Sequence, residues 1–265
     1  MKKLSVAIAA LLSLMGFVAF PKAKAKPLKP ELSAAQMIEA ADAIRNPQQP
    51  FSLNCNMVEY QSGTESNQMD IKVFSKKEGE QGQFRSLVRF LAPAKDRGKL
   101  MLKDENIIWF YDPSSKASVR ISPQQRLIGQ ASNGDVVTVN FAHDYTAKLD
   151  KAEAITDPLK KEHQCNKLNL VATSDSATYH NIEYWVEVDT NQPIKGKFYS
   201  ESGHLLKIIY YQGYQKILDA NRPTELLIID GLNKNLVTKM TLHDYSYEKI
   251  PDEWYRKDFL PHLKD

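Results

Sequence analysis

The side chains able to make or break bonds are few and scattered. Histidines stand at 143, 163, 180, 204, 243 and 262. Two of them directly precede an aspartate, His143-Asp144 and His243-Asp244, the partnership that general acid–base catalysis uses. Neighbouring residues on a strand point to opposite faces, so neither pair would act as a unit there. His163 and Cys165 could share a metal ion, but two ligands fall short of the four that a closed zinc site takes. The carboxylate pairs Asp104-Glu105 and Asp252-Glu253 sit in turn-like sequence, where solvated charge is the simpler reading. HExxH, GxSxG, P-loop and GxGxxG motifs are all missing. The expectation is a chain with no catalytic residues, no metal and no cofactor, and not an enzyme.

A different pattern dominates the stretch Arg89 to Ile121. Its centre, Ile107-Ile108-Trp109-Phe110-Tyr111, is apolar or aromatic at every position. An antiparallel strand with one wet face alternates, so both faces of this run should be covered. Protein core and ligand wall are the two readings of that cover. If Lys103–Asn106 forms a two- or four-residue connection, Leu102 faces Ile107 and Leu100 faces Trp109. Opposed residues share a face, and Lys99 and Lys103 mark the other face as wet. Leu100, Leu102, Ile107, Trp109 and Tyr111 are then expected to point inward, and a three-residue loop would reverse them. In the second half, outward Lys195 and Lys197 put Ile194, Gly196 and Phe198 inside. An outward Lys207 does the same for Leu206, Ile208 and Tyr210.

These side chains need a sheet to hold them. Period-two alternation predicts strands at Phe51–Met57, Met69–Val73 and Phe84–Phe90, followed by Lys99–Lys103, Ile107–Tyr111 and Ser118–Ile121. The second half adds Lys167–Ala172, Ile182–Asp189, Ile194–Ser200, His204–Gln212, Thr224–Ile229 and Leu236–Tyr245. Ser33 is a suitable N-cap for a helix over Ala34–Arg45, whose apolar stripe is Met37, Ile38, Ala41 and Ile44; Asn46-Pro47 ends it. Ser122–Asp150 lacks alternation and reads as a lid or crossover segment, with a short helix capped by Asp135. Trp254, Phe259 and Leu260 are expected to dock the C-terminal tail. About twelve antiparallel strands imply a barrel or a strongly curved sheet, wider than its own side chains fill.

The N-terminus reads as a secretory signal peptide over residues 1–25. Lys2-Lys3 is the basic region, Leu4 to Phe20 the apolar core and Ala23-Lys24-Ala25 the cleavage site. An uncleaved membrane anchor is the alternative. Cleavage removes four lysines and takes the formal charge from +3 to −1, which leaves no basic stripe for nucleic acid. No later run could span a membrane. In an exported compartment Cys55 and Cys165 are expected to form a disulfide, with two buried thiols as the alternative.

Three ordered motifs resemble one family. Arg89-Phe90-Leu91-Ala92-Pro93, Gly98-Lys99-Leu100-Met101-Leu102 and Trp109-Phe110-Tyr111-Asp112-Pro113 are similar to the core of the LolA-like outer-membrane lipoprotein-sorting proteins. Phe198-Tyr199, Ser202-Gly203 and Leu205-Leu206-Lys207 extend the likeness, which runs from about Phe51 to Tyr245. The resemblance implies a mainly β fold: an incomplete, half-closed antiparallel barrel of about 11–12 strands with helices lying across its mouth. After the signal peptide, residues 26–265 would form that single domain. It also implies a periplasmic, monomeric carrier of lipoprotein acyl chains or other lipids. The expected wall is Leu100, Leu102, Trp109, Tyr111, Phe198, Ile208 and Tyr210. A lipid-sensing accessory module of an inner-membrane transporter or signalling protein is the alternative role.

Overall fold

The computed structural model describes residues 32–79, 82–104 and 107–263. The expected signal peptide lies outside them. Helix α1 covers Ala34–Arg45, as its sequence predicts. Ser33 Oγ accepts from Gln36 N–H at 3.3 Å while Gln36 Oε1 accepts from Ser33 N–H at 2.9 Å, a reciprocal cap. Met37, Ile38 and Ala41 form its buried stripe.

The strands follow in chain order. The first half holds β1 (Phe51–Gln61), β2 (Thr64–Lys77), β3 (Phe84–Ala92), β4 (Leu100–Asp104), β5 (Ile107–Asp112), β6 (Ala117–Ile121), β7 (Arg126–Ile128) and β8 (Ala131–Ser132). Two one-turn helices, α2 (Asn133–Val136) and α3 (Phe141–Asp144), lead into β9 (Tyr145–Thr156). Then come β10 (Glu162–Ala172), β11 (Asn181–Glu187), β12 (Pro193–Tyr199), β13 (Leu205–Gln212), β14 (Gln215–Ile217), β15 (Ala220–Arg222), β16 (Glu225–Asp230) and β17 (Leu236–Tyr247). Two 3-10 turns, Asp252–Tyr255 and Lys257–His262, finish the chain.

Thirteen of these strands make one antiparallel sheet, ordered β6-β5-β4-β3-β2-β1-β17-β16-β13-β12-β11-β10-β9. The sheet does not close: β6 and β9 are its two edges. Twelve of the thirteen are strands expected from the sequence. The thirteenth, β9, is exposed along most of its length, with only its start, Tyr145 and Ala147, reaching the inner core. Lys148, Asp150, Lys151 and Glu153 keep this long edge from pairing with other chains.

Over β2–β5 both faces of the sheet are covered, by different elements. The inner face packs on α1, α2 and α3 through Ile71, Val73, Val88, Phe90, Met101, Ile108, Phe198 and Ile209. The outer face of β2–β5 packs Phe74, Leu87, Leu100, Leu102 and Tyr111 against Ile250, Tyr255 and Leu260 of the tail. Trp254 and Leu260 dock as expected: Trp254 meets Phe74 edge-on at 5.3 Å, and Leu260 is fully buried.

Three expectations are corrected here. Lys103 is not on a wet face. It is buried, and its Nζ donates to Phe84 O at 3.0 Å; burial pushes its ammonium down to about 8. Leu100, Leu102, Trp109 and Tyr111 do share a face, but the register is shifted by two residues from the expected one: Leu102 lies opposite Trp109, not Ile107, and Leu100 opposite Tyr111, not Trp109. Their shared face is the tail-covered outer face. The third correction concerns the cysteines, which are unpaired and buried. Cys55 lies in the inner-face core, whereas Cys165 packs with Trp185, Ile194 and Ile155 in a separate cluster. Their side chains therefore pack in different apolar clusters, not against each other. Burial pushes the Cys55 thiol far up and the Cys165 thiol up to about 12, so both are poor nucleophiles.

Candidate functional site

The inner face is roofed by residues 129–144, which cross the sheet after β7. Sequence explains the local shape. Asn133–Val136 makes one helical turn, closed by Ser132 N–H donating to Asp135 Oδ2 at 2.8 Å. Val136-Val137-Thr138-Val139 is poor helix material. The chain is accordingly extended at Val137 and Asn140, and the single helix expected from an Asp135 cap through Tyr145 is replaced by two turns: Ser132, not Asp135, caps the first, and the second is α3.

Discrete polar clips hold this crossing segment to the body. Gln130 N–H donates to Thr238 Oγ1 on β17 at 2.7 Å. Gly129 precedes it with φ +52°, and a Cβ there would strike Thr238 Oγ1, so glycine permits the approach. Thr138 Oγ1 lies 2.6 Å from Ser75 Oγ on β2. Asn140 N–H donates to Gln83 Oε1 at 3.0 Å, and Gln83 Nε2 returns a bond to Asn140 O at 3.0 Å. From α1, Arg45 and Asn46 donate to Val139 O at 3.2 and 3.0 Å, and Asp42 accepts from Ala142 N–H at 2.8 Å. The Arg45 guanidinium pairs with Asp42 and stacks 4.1 Å from the Phe141 ring centre.

On the β13 side the clip is ionic. Lys207 Nζ lies 2.6 Å from Asp135 Oδ2. Tyr179 OH donates to Asp135 Oδ1 at 2.6 Å; burial, then Asp135 itself, pushes this phenol well above its ordinary value and keeps it a donor. Lys207 was expected to face outward, and the structure turns it inward together with Ile209 and Tyr211.

Between roof and sheet lie two small cavities. The first, about 90 Å³, is lined by Phe51, Leu53, Cys55, Val73, Val136, Val137, Val139, Tyr211, Leu226 and Met240, with Asp135 and Arg45 at its polar margin. The second, about 50 Å³, adds Phe141, Tyr145, Tyr179, Phe198 and Ile209. Val73 on β2 and Tyr211 on β13 share the first cavity, although β1, β17 and β16 separate their strands. In a flat sheet they would stand about 19 Å apart. The sheet must therefore curl around the roof.

Of the seven residues expected as wall, the structure brings only Phe198 to the roofed face. Leu100, Leu102 and Tyr111 belong to the outer cluster, with Trp109 packed against it under Lys257 at 4.2 Å. Ile208 and Tyr210 alternate with the inward Lys207, Ile209 and Tyr211 and so take the outer face; Tyr210 lies under Lys195 at 5.4 Å. The lining residues that the sequence reading missed are Leu53, Val73, Leu226 and Met240 on the central strands and Val136–Val139 on the roof. Alternation sets Leu53 and Val73 on the apolar side of their strands but does not say that this side holds a cavity. The run of three valines in four residues was the available signal for the roof group.

A curled, open antiparallel sheet with a roofed apolar inner face defines the fold class. The comparisons narrow it. A LolA superfamily protein from Nitrosomonas europaea, seen in a crystal structure, shares 32% sequence identity with this chain, with a TM-score of 0.77 over 86% of this chain and 99% of that one. The chain belongs to the LolA superfamily. A DUF1329 family protein from Desulfovibrio piger (19% identity, TM-score 0.72, 86% of this chain and 97% of that one) has the same fold. So has a protein from Vibrio parahaemolyticus named as an outer membrane lipoprotein-sorting domain (18% identity, TM-score 0.72, 86% and 98%). A family model whose description names only an uncharacterized protein matches residues 82–262. No curated protein matches the chain.

Proposed function

We propose that this chain is a periplasmic carrier that shields the acyl chains of lipoproteins or other lipids during transfer to the outer membrane. It works by binding and release, without catalysis. The observation that carries this reading is the apolar inner face closed by a segment held through separable polar clips. The lipoprotein-sorting name of its Vibrio relative and its place in the LolA superfamily support the same role. The expected signal peptide supports the periplasmic setting, and no helix among the described residues is long and apolar enough to cross a membrane.

Energetics set the mechanism. Burying an acyl chain of about 16 carbons is worth on the order of 10 kcal/mol. An apolar cavity of about 150 Å³ holds one benzene, so cavities of about 90 and 50 Å³ cannot accept such a chain with the roof down. Val136, Val137 and Val139 fill the space in the resting state. Loading lifts the segment; each neutral clip costs only the modest net worth of a hydrogen bond, whereas the buried Lys207–Asp135 pair is the costly one to part. Release reverses the exchange, with the valines returning to the sheet.

The test is native mass spectrometry of the chain after the cleavage site, Lys26–Asp265, purified without detergent from the exported fraction. Adducts of lipid or lipopeptide mass are expected, as is uptake of a fluorescent fatty acid. A clean apo mass together with no uptake would overturn the carrier reading.

A further inference from the structure

Lys207 belongs to the sheet, yet among the described residues every group that hydrogen-bonds its ammonium belongs to the roof. Nζ donates to Asp135 Oδ2 at 2.6 Å, Gln130 O at 2.7 Å and Ser132 Oγ at 3.2 Å. Asp135 is the one carboxylate within ion-pair distance of it among the described residues. Lys207 is 7% exposed, with the Tyr179 ring 5.4 Å from its nitrogen. Asp135 lines both cavities. Lifting the segment removes all three oxygens at once and leaves Lys207 in place. Arg45 differs, because its partner Asp42 sits on the same helix and stays with it.

A buried ammonium stripped of its partners is strongly unfavourable. A neutral apolar ligand brings burial energy to the opened face but no replacement for Asp135. An amphiphile with charged oxygens brings both. We propose that Lys207 is the recognition site for the anionic head group of an amphiphile whose chain occupies the inner face, the head group replacing Asp135 as counter-ion. The inference rests on the carrier reading and adds the ligand class to it. A fatty-acid carboxylate and a phospholipid phosphate offer the same charged oxygens to Nζ.

The experiment is displacement of a neutral fluorescent alkyl probe by palmitate, palmitoyl lysophosphatidic acid and hexadecanol. It uses the wild-type chain, Lys207→Met and Asp135→Asn. The wild type should bind at least one of the two anions tenfold or more tighter than hexadecanol, and the tighter anion identifies the source of the charge. Lys207→Met should bind the three ligands with affinities within about threefold of one another, losing the tenfold preference whatever the change in its hexadecanol affinity. Asp135→Asn, which removes the resident counter-ion, should tighten anion binding severalfold more than hexadecanol binding. Equal binding of all three ligands by the wild type, or a preference that survives Lys207→Met, overturns the assignment and leaves the carrier reading standing. If no ligand displaces the probe, both fall. Should Lys207→Met fail to fold, an unchanged anion-to-alcohol ratio in Asp135→Asn overturns the assignment.

Discussion

Thr138 and Ser75 join roof to sheet through a single buried contact, Oγ1 to Oγ at 2.6 Å. Ser75 Oγ in turn lies 3.0 Å from Ser86 Oγ, which accepts from Thr138 N–H at 3.1 Å, so the three residues close a small polar ring on an otherwise apolar face. Thr138→Val keeps the shape and removes the hydroxyl. The cost should be about 1–3 kcal/mol, because Ser75 is left short of a partner. Urea unfolding should show a lower midpoint at unchanged slope, and amide exchange should quicken across residues 130–140. Unchanged exchange there would mean that this contact does not hold the roof.

Phe198 and Trp109 separate the two faces functionally. Phe198 is 1% exposed and lies 4.8 Å from Tyr179, centroid to centroid, beneath the roof. Phe198→Asp should abolish uptake of a fluorescent fatty acid, with circular dichroism confirming the sheet. Trp109→Asp should loosen the tail beneath Lys257 and leave uptake within about twofold of wild type. If Trp109→Asp abolishes uptake in a folded protein, the outer face carries the ligand instead.

Cys55 and Cys165 should both titrate as free thiols in the denatured, unreduced protein. In the native protein neither should react with a small alkylating agent over minutes, since both are buried and held as thiols. A count of zero thiols after denaturation would contradict the separate clusters in which they sit.

His163 ties two acids together at the end of the β9–β10 hairpin. Its Nε2 lies 3.2 Å from Asp157 Oδ2 and its Nδ1 3.1 Å from Glu187 Oε1. Burial opposes ionisation of both carboxyls. The Lys161 N–H and His163 on Asp157, and His163 with the Thr190 hydroxyl on Glu187, outweigh it and hold both below the usual carboxylate range. A depressed folded value means stability that is present above the unfolded value, about 4, and lost as pH falls through the folded one. Thermal midpoints should therefore drop on the acid side of about pH 4. Glu187→Gln should lower stability at pH 7 and make the acid loss shallower; an identical acid limb in the variant would remove Glu187 from the account.

Much of the fold was legible in local pattern. Ser33 and Asn46-Pro47 bracket α1 by capping and by proline's exclusion from helix. Alternation, and for β5 an unbroken apolar run, placed twelve strands, and the motifs around Phe90, Leu100 and Trp109 pointed to the family. Strand β9 was not legible, because an edge strand exposed along most of its length buries too few apolar residues, Tyr145 and Ala147 at its start, to set a pattern.

What the sequence determined by itself was which residues share a face, since period two is a property of the strand alone. It did not determine which face was inside. Lysine was read as a mark of water at 103 and 207, and both lysines are buried. Their partners arrive from elsewhere: Phe84 O from the neighbouring strand for Lys103, and Asp135, 72 residues away in the chain, for Lys207. Where a sheet is covered on both sides, alternation keeps its period and loses its sign. Only the tertiary structure, by laying the roof on one face and the C-terminal tail on the other, decided which side holds the cavity.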